Sequence, residues 1–413
     1  MTVAEFSHVL VGDLVAAGEA ELKTGPFGTQ LKASEYTEHG TPVINVRNIG
    51  FGSIKADKLE FISPATRDRL SSHLLRGGDI VFGRKGAVER HVFIRQEQNG
   101  WFQGSDCLRL RFISTRVEPL FASYYFLTSE HQRWMMNQCS HGATMASLNQ
   151  GILERIELPL PPLRIQQRIA GILSAYDELI ENSQRRIKIL ESMARFLYRE
   201  WFVHFRFPGH ENHSRGDFPL GEIPEGWEVK PFSAIASYIN GYPFKPAQLG
   251  SEGKPIVKIK ELKAGIVAST PRNLGDEIPE KYTILDGDVL FSWSAHLDAY
   301  LWMGGEGLLN QHLFTVLPFE GMSHAFCFHA LKESMPRFRA LSLGATMHHI
   351  KRSALDQVFT LVPPADLRKR FDVLVEPMHK QLITLTKHVD NLRSTRDLLL
   401  PRLLSGQIDV EAV

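Results

Sequence analysis

The chain has 413 residues, with 47 basic and 46 acidic side chains and a formal net charge of +1. That length holds two or three domains with cores of their own, while the balance of charge excludes a broadly cationic coat; any nucleic-acid site must rest on local basic patches. Residues 1–162 hold 17 basic and 17 acidic side chains and residues 220–362 hold 13 and 15, so neither part is a charged arm. No apolar run reaches the length of a membrane span, and Glu5 and Asp13 interrupt the stretch where a secretory signal is uniformly apolar. A cytoplasmic protein without membrane contact is expected. Cys107, Cys139 and Cys327 are an odd count without metal-ligand spacing and read as reduced thiols.

In chain order, Leu22-Lys-Thr-Gly-Pro-Phe-Gly28 is a glycine-bearing turn, and Thr41–Gly50 reads as a short strand with Asn45 and Arg47 on one face. A brief helix is expected from Pro64 to Leu75. Arg76-Gly-Gly-Asp-Ile-Val-Phe82 is a tight turn feeding a strand that ends in the loop Gly83-Arg-Lys-Gly86. Asp106–Phe112 reads as strand and Leu120–Met136 as helix, followed by Gly142-Ala-Thr144. Pro161 and Pro162 then mark a start, because proline fits the first turn of a helix and not its interior. Beyond them Ile165, Ile169, Ile172, Tyr176, Leu179, Ile187, Leu190, Ala194 and Leu197 recur mostly at steps of 3 and 4, one apolar stripe on a helix. To Trp201 this helix would span roughly 55–60 Å. It reads as a strut.

The order then repeats. Pro255-Ile-Val-Lys-Ile-Lys-Glu-Leu262 answers Pro42–Ile49, Asp286-Gly-Asp-Val-Leu-Phe291 answers Gly77–Phe82, Gly344-Ala-Thr346 answers Gly142–Thr144, and Pro363-Pro364 answers Pro161-Pro162. The offsets are 213, 209, 202 and 202 residues, which is the signature of an internal duplication with small insertions. The second helix carries Leu367, Phe371, Leu374, Met378, Leu382, Leu385, Val389, Leu392 and Leu399. Two such struts most simply cover each other as a coiled coil. The spacing predicts packing by Ile165, Ile169, Ile172, Tyr176, Leu179 and Leu190 on the first and by Leu374, Met378, Leu382 and Leu385 on the second. Residues 207–226 are polar and rich in glycine and proline, a linker. The expected plan is a mixed α/β (α+β) fold: a globule over 1–160, a helix over 161–206, the linker, a globule over 227–362, and a helix and tail over 363–413.

The sequence contains no GxxxxGK[ST] loop, HExxH, CxxC or GxSxG element, and no paired-proline motif for a flipped base. Nothing points to catalysis. Leu160-Pro-Pro-Leu-Arg-Ile-Gln-Gln-Arg-Ile169, Gly221-Glu-Ile-Pro-Glu-Gly-Trp-Glu-Val229 and Leu403-Leu-Ser-Gly-Gln-Ile408 resemble the specificity subunit of type I restriction–modification systems along essentially the whole chain. The resemblance implies two target-recognition domains, each reading one part of a split double-stranded DNA sequence, joined by two antiparallel helices. It implies no catalysis and no cofactor in this subunit. Two methyltransferase subunits would use S-adenosylmethionine on adenine N6, and restriction–translocase subunits would use ATP and Mg2+. Rigid struts also suit docking on major-groove faces about one helical turn, 34–36 Å, apart. Two departures stand out: Ala365-Asp-Leu-Arg-Lys-Arg370 replaces Leu163-Arg-Ile-Gln-Gln-Arg168, and no Pro-Glu-Gly-Trp precedes residue 22. The alternative is a coiled-coil scaffold that does not itself read DNA.

On that resemblance, Arg84 and Lys85 in their glycine-flanked loop are candidate DNA contacts, arginine for a guanine edge and lysine for phosphate. Arg47, Asn48 and Lys55 lie in the neighbouring region. In the second copy Trp293 and His296 occupy the loop after Phe291, Lys258, Lys260 and Lys263 supply positive charge, and Asn310, Gln311 and His312 form a polar cluster. Lys258 and Lys260 are expected to alternate onto one strand face.

Overall fold

A computed structural model describes residues 6–139, 146–218, 221–342 and 349–410; the Gly142–Thr144 and Gly344–Thr346 matches lie outside the described residues. The chain forms two compact units, one of residues 1–179 with 392–413 and the other of residues 180–391.

In the first unit, a five-stranded sheet runs in the order Ala20–Thr24, Cys107–Phe112, Ile80–Gly83, His91–Phe93 and Phe51–Gly52. A second sheet holds Tyr36–Thr37, Glu60–Ile62, Thr41–Ile44 and Phe102–Gln103, its last pair parallel. Strand alternation covers the large sheet on both faces. Ile80 and Phe82 join Leu108, Leu110 and Phe126 in one core, while Val81 between them joins Ile44, Val92 and Cys107 in another. The expected helix from Leu120 to Met136 is two helices, Pro119–Phe126 and Ser129–Cys139. Thr128 divides them: its hydroxyl donates to the Tyr125 carbonyl and accepts from His131 N–H.

The second unit repeats the arrangement. Ala236–Asn240, Leu313–Pro318, Val289–Ser292 and Asp298–Leu301 form its larger sheet, and Lys254–Val257 pairs in parallel with Gly307–Leu309 as Thr41–Ile44 does with Phe102–Gln103. Alternation again splits the core, Val289 and Phe291 to one side and Leu290 to the other. The expected linker is not a free tether. Arg215–Phe218 pairs with Gly221–Pro224, and Phe207, Ile223 and Trp227 bury in this unit's main core, because apolar side chains punctuate an otherwise polar segment.

The long helices are Leu163–Phe202 and Ala365–Leu404, 40 residues each. In the first unit the start of one meets the end of the other: Ile165, Ile169, Ile172 and Leu173 cluster with Leu399, Leu400, Leu403 and Leu404. In the second unit the end of the first helix meets the start of the second, with the Phe202 and Phe371 rings 4.9 Å apart. The pairing is antiparallel. Ile169, Leu382 and Leu385 are buried, and Ile165, Ile172, Tyr176, Leu190 and Met378 partly so. Leu179 and Leu374 are corrections: they are 51% and 44% exposed, and their neighbours Ile180 and Val375 are buried instead. One residue is about 100° of helical rotation, so a stripe counted in steps of 3 and 4 drifts off the buried face.

Each globule is fastened to its helices at one corresponding place. In the first unit Tyr124 Oη donates to Asp177 Oδ2 (2.7 Å), and Arg396 Nη1 on the other long helix donates to Asp177 Oδ1 (2.5 Å). In the second, His329 and His379 stand 205 and 202 residues beyond Tyr124 and Asp177, with their Nε2 atoms 3.2 Å apart. A charged clamp in one copy is thus a neutral imidazole pair in the other.

Candidate nucleic-acid interface

The loop after Ile80–Gly83 is fixed from both sides. Arg84 N–H donates to the Asp106 carbonyl and the Arg84 carbonyl accepts from Leu148 N–H, both at 2.8 Å, while Lys85 bridges to Ser147. The Arg84 guanidinium lies 5.4 Å from the ring centre of Phe27, an exposed phenylalanine of the Gly25–Gly28 turn. That turn can approach only because residue 25 is glycine: a Cβ there would sit 1.9 Å from the Gly104 carbonyl oxygen. The corresponding Gly241 meets the Asn310 carbonyl oxygen at 2.2 Å. The Phe27 ring holds the guanidinium plane without using its donors. No carboxylate among the described residues pairs with Arg84, whereas Lys85 Nζ is 3.4 Å from Asp106 and Arg47 is 2.7 Å from Glu60. Both of those pairs are exposed, and pairs of that kind contribute at most about 1 kcal/mol. A phosphate can displace either carboxylate.

Asn48 does not belong to this surface. It is fully buried, its Oδ1 accepts from Asn45 N–H, and its Nδ2 donates to the Lys55 and Asp57 carbonyls. The strand ends at Ile44, and Val46–Asn48 is a 3-10 turn that Asn48 braces from inside. Arg47 and Lys55 remain exposed. The second unit places the buried Glu261 in the same role, accepting from Lys258 N–H at 3.1 Å. Lys258 therefore ends a strand and begins the helix Ile259–Ala264, so Lys258 and Lys260 do not share a strand face; Lys260 and Lys263 are exposed on the helix.

In the second unit Trp293 stands where Arg84 does: its carbonyl accepts from Ile350 N–H (3.1 Å), as Arg84's does from Leu148, and Ser294 bridges to His349 as Lys85 does to Ser147. Ala295 then occupies the place of Gly86, with φ +58° against +77°. A left-handed non-glycine residue costs about 1–2 kcal/mol. Ala295→Gly is accordingly expected to stabilise the protein by about 0.5–1 kcal/mol, the relief being partly offset by glycine's freedom in the unfolded chain. A urea midpoint that falls instead would show that Ala295 is unstrained.

Trp293 is partly buried, its ring centre 5.9 Å from that of exposed His312, and Asn310 is buried with its Nδ2 donating to Gln311 Oε1. Burial first, then the Lys263 ammonium, hold the His296 imidazole below its ordinary value. Two exposed aromatic features were not legible as contacts in sequence. Phe27 supports Arg84, and Phe51 lies 5.1 Å from the Arg90 guanidinium. A glycine-proline turn marks the first as a loop but says nothing of which arginine meets it.

The domain family described as "Type I restriction modification DNA specificity domain" matches residues 25–192. The chain is 26% identical over 308 residues to the type I restriction enzyme MjaIX specificity subunit of Methanocaldococcus jannaschii, covering 70% of this chain and 69% of that protein. It is 24% identical over 387 residues to the putative MjaX specificity subunit of the same organism, covering 90% and 88%. The crystal structure of the type I restriction–modification S subunit from M. genitalium has the same fold, with a TM-score of 0.63 at 16% identity over 98% of this chain and 97% of that one. Residues 25–192 thus match a type I specificity domain, and with the same frame rebuilt in the second copy and relatives spanning both, the chain is similar along most of its length to specificity subunits of type I restriction–modification systems.

Proposed function

We propose that this chain is the sequence-reading subunit of a type I complex, with each globule recognising one component of a bipartite, asymmetric DNA target. The observation that carries the reading is the pair of corresponding loops, each held by a matching bond to its carbonyl and a matching bridge but carrying Arg84 and Lys85 in one unit and Trp293 and Ser294 in the other. A scaffold that never touched DNA would have no use for one frame bearing two such unlike pairs of side chains. Arg47, Lys55, Arg84 and Lys85 serve the first component, and Lys258, Lys260, Lys263, Trp293, His296, Gln311 and His312 the second. The globules correspond to residues 1–160 and 227–362.

The subunit itself is not a catalyst. Two methyltransferase subunits supply S-adenosylmethionine-dependent chemistry on adenine N6, and restriction–translocase subunits the ATP- and Mg2+-dependent steps. Exposed Ile189, Met193 and Phe196 lie at helical spacing on one side of the first long helix and supply an apolar stripe for a methyltransferase subunit. No helix among the described residues is long and apolar enough to cross a membrane.

The complex of this chain with its methyltransferase subunits should bind its target at least about a thousandfold more tightly than a scrambled duplex at physiological salt. The chain alone, given S-adenosylmethionine, should methylate neither. Equal affinity for both duplexes contradicts the reading. Within the first component, Arg84→Ala should lose about 1–3 kcal/mol of discrimination at one G·C pair. Lys85→Ala should weaken binding to all sequences alike and flatten its salt dependence by about one counterion. Binding titrations with single-base-pair variants at two salt concentrations check both.

A further inference from the structure

We propose that the second unit identifies its DNA component through the C5-methyl group of a thymine, seated against the face of Trp293 beside His312. The inference rests on the DNA-reading role given above. Arg84 and Trp293 occupy one position of the duplicated frame, at the end of an interior strand and with the same backbone partner. Their chemistry is opposite. Arginine ends in five donors that can span a guanine edge. Tryptophan has a single donor, and here it is withdrawn: Trp293 Nε1 is shielded from solvent and has no partner among the described residues. What this side chain still offers outward is hydrocarbon.

The ring is also held in place. Its centre is 5.9 Å from that of His312 and 6.0 Å from that of Phe314, whose ring in turn has the Arg352 guanidinium 5.8 Å away. His312 stands where Asp106 stands in the first unit; there the carboxylate faces Lys85, while here Ser294 replaces the lysine and an exposed imidazole edge lies beside the indole. An apolar surface in the major groove finds one apolar protrusion, the thymine methyl; guanine, adenine and unmodified cytosine present donors and acceptors. The unshared chemistry of the two loops therefore predicts a guanine contact in one component and a thymine contact in the other.

The test uses the full chain assembled with its methyltransferase subunits, on the target defined by mapping methylated sites in cells carrying the system. Each thymine in the component read by the second unit is replaced in turn by deoxyuridine, which keeps every hydrogen-bonding atom and removes only the methyl. At one position binding should weaken about fourfold, the worth of one buried methyl group. Trp293→Ala should abolish that difference and Trp293→Phe should keep part of it, while 5-methylcytosine at the same position should bind better than cytosine. A component without thymine, deoxyuridine duplexes all bound as tightly as the parent, or the same fourfold difference in Trp293→Ala would each overturn the proposal. The deoxyuridine scan needs no variant, so a poorly folding one does not protect the idea. Failure to distinguish the mapped target from a scrambled duplex would instead remove the DNA-reading role itself.

Discussion

Leu382→Asp is expected to destabilise the protein by about 3–5 kcal/mol, the cost of an uncompensated charge in an apolar seam. Leu374→Asp, on the same helix, is expected to stay within about 0.5 kcal/mol. Leu382 is 4% exposed, whereas Leu374 is 44% exposed and can point its carboxylate at water. Leu190→Asp should fall between them, since Leu190 is partly buried. The contrast tests the register of the helix pair rather than hydrophobicity alone, because all three substitutions are chemically identical. Urea titrations of the three variants decide it. Equal losses for Leu374 and Leu382 would mean that the seam runs along a different face.

A second large effect is expected in acid. Burial pushes the imidazoles of His91 and His131 down to about 3 in the first unit. In the second, burial and then the mutual repulsion of the pair push His329 down to about 3, and burial pushes His379 down to about 4. All four folded-state values lie below the unfolded value, near 6.5. The stability contributed by keeping these rings neutral is therefore complete above pH 6.5 and is lost progressively as the pH falls toward 3–4. At pH 5 a single such histidine costs about 2 kcal/mol. His131 lies 4.8 Å from the Phe126 ring and is 3% exposed, so His131→Leu keeps much of the packing and removes the proton acceptor. Its stability should fall less steeply between pH 7 and 5 than that of the parent. An unchanged slope would mean that His131 is solvated in the folded protein.

The long helices and the duplication were legible because proline pairs, apolar periodicity and ordered glycine turns are local signals that survive without tertiary information. Single positions on the stripe were less so: Leu179 and Ile180 are both apolar, and only the partner helix selects between them. Asn48 looked like a groove contact because an asparagine in a turn region carries no mark of which way its amide faces. The repeated pattern held the correction, since Glu261 occupies the corresponding position, and a side chain accepting from the backbone N–H three residues earlier serves either residue type. Lys258 and Lys260 alternate as a strand would, yet the chain turns helical at Ile259 with Glu261 bracing the turn. The clamps were beyond reach: Asp177 meets Tyr124 and Arg396 across 53 and 219 residues of chain. Side-chain placement in the recognition loops likewise depends on contacts such as Phe27 with Arg84 that no spacing reveals.

The central claim is that each globule reads its own part of the target. The most direct measurement replaces residues 22–158 with the corresponding domain of another specificity subunit and maps every methylated adenine in cells expressing the complex. The methylated sequence should change in one component only, with the other component kept base for base. A sequence altered in both components, or in neither, would contradict the account.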